Sequence, residues 1–403
     1  MNNDNHKQGQ GSLTELAKLF FKLGIITFGG PAAHIAMMEE EVVNRRQWLT
    51  RKRFLDLVGA INLIPGPNST ELGIIIGYIR AGIPGLIVSG LSFILPAVII
   101  TGTLAWAYVK FGLIPEVSFL FFGIKPVVIS VILIAVIRLG KTGARNLQLL
   151  LIGIAVAIAS LLGVSAIVVL FAGGIIGMIL HIKKTSGNIK ISYWIITALC
   201  QFWEMLKAGK AKAAMTISAA GTATAIGSVS LWKLSVFFLK IGAVLYGSGY
   251  VLVAFIEDGL VKDTGWLTNQ QLLDAVAIGQ FTPGPVLSTA TFVGYLIAGA
   301  PGAALSTIAI FLPSFVYMLI LYPIFPKLRA SAKMSAFLDA LNISAVGLMA
   351  AVTVRLASTT LIDPKAVLIA VAAIIGGMRF RLNAAWLVLG GALVGWILKG
   401  LLV

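Results

Sequence analysis

The stretch WLTRKRFLDLVGAINLIPGP at residues 48–67 returns as WLTNQQLLDAVAIGQFTPGP at residues 266–285, with nine identities in twenty positions and no gap. After the PGP, the offset between the copies falls from 218 to 217 residues, so that GYIRAGIPG at 77–85 matches GYLIAGAPG at 294–302. The chain is therefore a duplicated sequence. Such duplication is typical of secondary transporters, which build a site between two related halves.

Composition indicates a membrane protein. Of the 403 residues, 58% are hydrophobic and 11% are charged, and the apolar runs reach about 20 residues, the length of a membrane-spanning helix. We predict an all-α polytopic membrane protein with an N-terminal transmembrane repeat at 1–183, a connector at 184–230 and a C-terminal repeat at 231–403. The single cysteine, Cys200, excludes an intrachain disulfide. We interpret the net charge of +16 as loop charges that orient the chain, not as a nucleic-acid surface.

Each half contains six hydrophobic segments. They are 13–38, 54–80, 84–111, 116–140, 146–163 and 165–182, then 231–256, 271–297, 301–323, 334–358, 363–379 and 384–402. The second segment of each half carries the PGP, at Pro65, Gly66 and Pro67 or at Pro283, Gly284 and Pro285. Proline cannot donate a helical hydrogen bond and restricts the residue before it. We therefore predict a broken or re-entrant helix at each PGP.

Loop charges predict that the two repeats have inverted topology. The loop at 45–53 carries four arginines and a lysine, whereas its repeat partner at 257–263 is mainly acidic. Positive loops stay on the cytoplasmic side, so these two loops belong on opposite faces. If the PGP segments do not cross, each half crosses five times and the N-terminus lies outside. A further crossing near 191–206 would change this count.

The broken segments predict a binding site for a small anion. Non-helical backbone at membrane depth must be buried in protein or line a wet cavity, and a helix N-terminus attracts negative charge. The candidate ligands after or near the breaks are polar: Asn68, Ser69, Thr70, Gln280, Ser288 and Thr289. The alternative is that these side chains only cap their own helices.

Two lysines occupy the same repeat position inside apolar sequence. Lys22 and Lys240 each lie six residues before a glycine break, FGGP at 28–31 or YGSG at 246–249. A lysine is costly there unless it binds a ligand or reaches the interface by snorkelling, and both readings stay open. The breaks add the candidate binding residues Gly29, Gly30, Gly247 and Ser248. We interpret the other charges in apolar sequence as orienting charges near loops; they are Arg80, Lys125, Arg138 and Arg355.

Signals for other chemistry are weak. His34 and the acidic run at 39–41 lack the HExxH spacing of a zinc site, YGSGY is not a nucleophile elbow, and the chain has no Walker A motif. We therefore predict no catalytic residue, no metal and no cofactor. An intramembrane enzyme or a scaffold is the alternative from a different class.

FGGPAAHI, the basic WLTRKRF loop and LIPGPNSTELGIIIGY, with the second copy QFTPGPVLSTATFVGYLIAGAPG, resemble the chromate ion transporter family in its long two-domain form. The resemblance covers nearly the whole chain. It implies a multi-pass protein of the bacterial inner membrane that exports chromate, a tetrahedral dianion, using the proton motive force. Its implied partners are a small oxyanion, the bilayer and protons as the candidate coupling ion, and no nucleic acid; a homodimer is left open. Sulfate or another small anion is the alternative substrate, because sulfate has the same charge and nearly the same shape. Residues 28–31, 65–70, 247–249 and 283–285 match the family's motifs.

Overall fold

The computed structural model describes residues 12–28, 30–111, 115–186, 230–247, 249–322 and 331–400, and within these ranges the chain is helical with no strand. Most of the connector predicted at 184–230, with its candidate crossing near 191–206, lies outside the described residues. Each half contributes seven α-helices in the described part. In the first half they are α1 (Leu13–Ile26), α2 (Pro31–Glu39), α3 (Arg51–Ile61), α4 (Asn68–Phe111), α5 (Pro115–Gly143), α6 (Leu147–Leu161) and α7 (Ala166–Ser186). In the second half they are α8 (Leu231–Val244), α9 (Val251–Ile256), α10 (Asn269–Phe281), α11 (Thr289–Leu321), α12 (Ala332–Thr360), α13 (Pro364–Arg379) and α14 (Ala384–Gly400).

The first two helices fold back on each other. Gly30 has a φ of 80° and Pro31 begins α2, so the backbone turns sharply where a side chain would be strained. Lys22 Nζ then lies 3.1 Å from Glu41 Oε1, although 19 residues separate them; in one continuous helix they would be about 28 Å apart. The prediction that 13–38 is a single crossing is therefore wrong.

This hairpin also determines the face of the molecule at which α1 begins. Glu15 in the first turn of α1 lies 3.6 Å from Arg46, so α1 begins beside the loop at 45–53. We call the side of the molecule that carries this loop the arginine-rich face. The five-crossing count placed the N-terminus on the other face. The described start of α1 does not fit that count, because a helix pair that returns to its starting side contributes no net crossing.

The PGP turns lead into a second hairpin in each half. α4 bends at Ala81 and Gly82, whose φ is 61°, and divides into a first limb (68–80) and a second limb (83–111). The limbs pack closely, since a β-carbon on Gly77 would collide with the carbonyl oxygen of Gly85. α11 repeats this geometry at Ala298 and Gly299. A π-helical turn also recurs at matched positions, Glu40–Arg45 and Glu257–Asp263. The duplication in sequence is thus a duplication in fold.

Contacts between the halves confirm the inverted topology. The Arg80 guanidinium lies 4.8 Å from the Trp48 ring centroid, so the bend of α4 is at the arginine-rich face and the second limb runs about 43 Å away from it. The corresponding limb of α11 runs the other way, because Tyr322 at its end accepts a hydrogen bond from Arg53 at 2.9 Å. At the opposite face, Arg355 near the end of α12 donates to the carbonyl oxygen of Ser160 at 2.9 Å.

The chain is a polytopic membrane protein. Within the described residues, four helices are long and apolar enough to cross a membrane: 68–111, 119–143, 286–321 and 332–360. Apolar side chains such as Leu91, Ile99 and Ile308 are more than half exposed, which suits contact with lipid. Across the interface between halves, α4 packs on α11, and this contact holds the broken helices in the centre.

Candidate functional site

The turns of the two halves meet in the interior. The Gly66 amide donates to the carbonyl oxygen of Leu245 at 2.7 Å, and the Gly284 amide donates to that of Thr27 at 3.1 Å. These two bonds occupy equivalent positions in the repeat, because Gly66 and Gly284 are 218 residues apart and so are Thr27 and Leu245. Each PGP turn therefore contacts the glycine break of the other half.

A cavity of about 530 Å³ lies between these turns and the arginine-rich face. We call it the arginine cavity, because Arg138 of α5 and Arg381 of the α13–α14 loop both line it. Gly30, Gly247 and Tyr250 line it at the turns. Arg138 is held in place by donating from Nη2 to the carbonyl oxygen of Gly377 at 2.8 Å.

A second cavity of about 180 Å³ adjoins the first and shares Leu139 and Gly247 with it. We call it the asparagine cavity, because it is lined by Asn62, Asn68 and Asn342. The Asn68 side-chain amide donates to Asn62 Oδ1 at 2.5 Å. This hydrogen bond leaves Asn68 Oδ1 and one amide hydrogen for other partners.

Positive charge dominates the arginine cavity, because no carboxylate of the described residues lines it. The asparagine cavity is balanced in charge, since Arg145 and Asp339 both line it and lie 3.8 Å apart. The start of α2, at Gly30 to Ala33, lines the arginine cavity as well and adds the partial positive charge of a helix N-terminus. Guanidinium groups and amides at a helix start can bind a small oxyanion by charge-assisted hydrogen bonds. Within the described residues, no group of three or more His, Cys, Asp or Glu side chains could hold a metal.

The structure brings part of the predicted site together. Gly30, Asn68 and Gly247 line these two neighbouring cavities. Gln280 is linked to them, since its Oε1 accepts a hydrogen bond from Tyr250 at 3.1 Å. Gly29 and Ser248 lie outside the described residues.

The predicted hydroxyl groups lie elsewhere in the interior, and none of them lines either cavity. Ser69 Oγ is hydrogen-bonded to His34 Nδ1 at 3.0 Å. Thr289 donates back to the carbonyl oxygen of Val286 at 2.7 Å, so its hydroxyl is used within its own turn. Thr70 and Ser288 are buried without a hydrogen-bond partner in the described part of the chain. Among the candidate side chains that follow the PGP turns, Asn68 is thus the one that lines a cavity in the described part of the chain.

The two repeat-related lysines point away from the cavities. The Lys22 side chain is 52% exposed and pairs with Glu41, and Lys240 is exposed. Glu41 lies in the π-helical turn at the arginine-rich face. Burial alone would raise the pKa of its carboxyl, but the hydrogen bond from Lys22 and the charge of Arg46 bring the pKa below its ordinary value. Lys22 therefore stabilises an ionised carboxylate at the rim of the hairpin.

Sequence reasoning assigned Arg138, Lys125 and Arg355 to loop-proximal charges, and the structure gives each an interior partner. Lys125 lies 3.6 Å from the buried Asp274, and Tyr108 donates to the same carboxylate at 2.8 Å. Arg355 forms a bidentate ion pair with Glu257, in which Nε donates to Oε1 at 2.9 Å and Nη2 donates to Oε2 at 2.6 Å. The available signal was the repeat itself, which aligns Arg138 with Arg355 inside apolar sequence.

Comparison with known proteins gives the same picture of a duplicated transporter. A family model described as "Chromate transporter" matches twice, at residues 14–178 and 232–396. The chain is similar to a chromate transport protein of Cupriavidus metallidurans, with 32% identity over 97% of this chain and 94% of the relative. It is also similar to a probable chromate transport protein of Synechococcus elongatus, with 33% identity over 91% of this chain and 90% of the relative. A chromate transport protein of Pseudomonas aeruginosa is 30% identical over 96% of this chain and 92% of the relative. No solved structure matches the chain significantly.

Proposed function

The chain belongs to the chromate transporter family, and we propose that it exports chromate from the cytoplasm across the bacterial inner membrane, driven by the proton motive force. The observation that carries this proposal is the pair of neighbouring cavities, of which the larger is lined by Arg138 and Arg381 and by the glycine breaks of both halves. By the positive-inside rule, the arginine-rich face is cytoplasmic. An anion from the cytoplasm would thus reach the turns through the arginine cavity.

The proposed binding site uses charge first and hydrogen bonds second. Arg138 and Arg381 would attract the dianion into the arginine cavity, where surrounding protein screens charge less than bulk water does. Asn68, with the backbone around Gly30 and Gly247, would then hold its oxygens at the level of the turns. Gln280 would act through Tyr250, as an orienting partner. A tetrahedral oxyanion presents acceptors in several directions, which suits donors from both halves.

Inverted halves supply the transport step. Because each half presents the same hairpins from an opposite face, a small tilt of one half against the other can close one entrance and open the equivalent one. The close contacts between turns, at Gly66 and Leu245 and at Gly284 and Thr27, would be where the two arrangements differ. Export follows if the anion binds from the arginine-rich face and leaves from the other.

Transport in inside-out membrane vesicles tests substrate, direction and driving force together. Vesicles energised by respiration should accumulate labelled chromate, and a protonophore should abolish the accumulation. Labelled sulfate in parallel measures selectivity; faster sulfate transport would make sulfate the substrate. A chemically altered product would favour an enzyme, and neither flux nor product would favour a scaffold.

A pair of arginine variants tests the site. Arg138→Gln removes a charge that lines the arginine cavity, and we expect it to weaken chromate binding by about tenfold or more, the loss of a charge-assisted hydrogen bond. Arg51→Gln is the matched control, since Arg51 is exposed on the same face and pairs with Glu39 outside both cavities. Equal effects of the two variants would argue for general surface attraction and against the proposed site.

A further inference from the structure

Glu71 is a completely buried carboxylate that has no hydrogen-bond partner among the described residues. It lies in the first turn of α4, directly after the PGP turn, and its exposed fraction is 0%. Both carboxylate oxygens lack a hydrogen-bond partner in the described part of the chain, and no ion pair to Glu71 is formed there. Nothing in the proposed anion site uses this group, since Glu71 lines neither cavity.

The surroundings of Glu71 come largely from the other half. A β-carbon built on Gly66 would collide with Glu71 Oε1 and lie 2.9 Å from Ser314 Oγ in α11, so carboxylate and hydroxyl flank the same glycine. Ser314 is also fully buried without a hydrogen-bond partner in the described residues. Among the described residues, the phenols of Tyr246 and Tyr317 are near enough to interact with the Glu71 charge. Tyr317 already donates to the carbonyl oxygen of Ala243 at 3.0 Å.

An ionised carboxylate is very unstable in such a place. Burying a charge without a counter-ion or hydrogen bonds costs so much that the group binds a proton instead. The neutral acid has one O–H donor and can bond to a hydroxyl such as that of Ser314 after a small side-chain rotation. A metal cation would instead need several oxygen ligands already directed at one point, and the flanking groups are mainly phenols and one serine.

We propose that Glu71 is the proton-binding site that couples proton movement to anion transport. This rests on the proposed transport function. In the conformation described, an O–H bond is formed on a Glu71 carboxylate oxygen with a proton taken from water on one side of the membrane. When the halves rearrange and water reaches the group, that bond breaks, the proton passes to water on the other side and the carboxylate is left ionised.

The position of Glu71 explains why its protonation would be linked to the rearrangement. The Gly66 amide beside it forms the 2.7 Å bond to Leu245 that joins the turns of the two halves. Closing the halves around an ionised Glu71 would bury an unpaired charge, so the closed contact at this point requires the proton. Proton binding and the conformation of the turns are therefore linked equilibria, and each shifts the other.

The repeat places only one such acid in the chain. With the offset of 217 residues that holds after the PGP turns, the partner of Glu71 is Ser288 and the partner of Ser314 is Ala97. Neither Ser288 nor Ala97 can bind and release a proton near neutral pH. The pseudo-symmetric fold thus has one proton site per chain at the PGP turns.

Glu71→Gln in proteoliposomes is the direct test, because glutamine keeps the shape and hydrogen bonding of the neutral acid but cannot release a proton. Two measurements separate coupling from transport: exchange of labelled chromate at equal concentrations on both sides, and acidification of a trapped pH dye during net chromate movement. We expect Glu71→Gln to keep exchange and to lose chromate-dependent proton movement. The control is Glu40→Gln, at an exposed carboxylate in the π-helical turn, which should retain both.

Several outcomes would overturn the inference. The inference is overturned if Glu71→Gln moves as many protons as the original protein does. It is also overturned if chromate movement in the original protein requires sodium and moves no protons. If the original protein shows no chromate exchange, the proposed function fails instead, so the two failures are distinguishable.

Should Glu71→Gln not fold, infrared spectra of the original protein with labelled glutamate must contain the C=O band of a buried protonated acid at neutral pH, and Ser314→Ala must shift that band. Absence of the band would refute the proposal.

Discussion

The Gly66 amide and the Leu245 carbonyl oxygen are 2.7 Å apart, and the bond they form joins the PGP turn of one half to the glycine break of the other. The repeat-related bond from Gly284 to Thr27 is 3.1 Å long. The two bonds lie in similar backbone but different side-chain surroundings, because a buried carboxylate flanks Gly66, whereas Ala97 flanks Gly284. The symmetric backbone therefore holds an asymmetric interior.

Cysteine labelling can test the positions of the chain ends and loops. In a Cys200→Ser background, single cysteines at the exposed residues Ser12, Lys52 and Gln270 should divide into two groups. We expect the first two to be protected in whole cells from an impermeant thiol reagent and Gln270→Cys to react, because α1 begins at the arginine-rich face and the halves are inverted. Reaction of Ser12→Cys and Lys52→Cys from opposite sides would contradict the α1–α2 hairpin.

Asn68→Ala should weaken chromate binding by about tenfold or more, since a hydrogen bond to a charged ligand is worth roughly 1.5–3 kcal/mol. Binding can be measured by calorimetry on the purified protein. Thr289→Ala is the control, because Thr289 bonds to its own helix turn and lies outside both cavities. It should lower stability by about 1 kcal/mol, the usual net contribution of one intramolecular hydrogen bond, and leave affinity unchanged. A loss of affinity in Thr289→Ala alone would place the site on the other PGP turn.

Lys22→Gln and Lys240→Gln should affect chromate affinity less than Arg138→Gln does. Neither lysine lines a cavity and Lys22 pairs with Glu41, so neither charge is placed to contact an anion in the proposed site. The same binding assay at two salt concentrations makes the comparison. If the lysine variants lose as much chromate affinity as Arg138→Gln does, the anion binds beside the lysines in another conformation.

Gly77→Ala should destabilise the protein by about 1–3 kcal/mol, the cost of overpacking. Its β-carbon would collide with the Gly85 carbonyl oxygen, which is backbone and cannot rotate away. Gly390→Ala is the matched control, because a β-carbon there has no neighbour within 4 Å. The free energy of unfolding, measured by SDS titration in micelles, should fall only for Gly77→Ala. Equal stability of the two variants would refute close packing of the α4 limbs.

Arg355→Gln should cost about 3 kcal/mol of unfolding free energy, because it removes the main partner of a buried carboxylate. Glu257 is 3% exposed, and its remaining cation is Lys262 at 3.2 Å. Arg51→Gln breaks an exposed pair with Glu39 and should cost at most about 1 kcal/mol. The SDS titration compares the two, and similar losses would mean that the Glu257 pair is solvated.

Several features could be predicted because their signals are local in sequence. The match of 48–67 with 266–285 established the duplication, and the opposite charges of the loops at 45–53 and 257–263 established the inversion. The prolines at 65 and 67 established the break, since no partner helix can restore a missing amide hydrogen. Asn68 was predicted as a candidate ligand because it is a polar residue that directly follows this break.

The tertiary structure determined which of these features contact one another. The sequence did not reveal that α1 and α2 fold back, because a turn at Gly30 leaves the apolar pattern of both helices unchanged. It also did not separate Arg138, which lines a cavity, from Lys22, which is exposed. In a membrane protein, the lipid-facing and protein-facing sides of a helix are both apolar, so periodicity does not say which side is buried. The burial of Glu71 against Ser314 depends on the packing of one repeat on the inverted other, and this contact exists only in three dimensions.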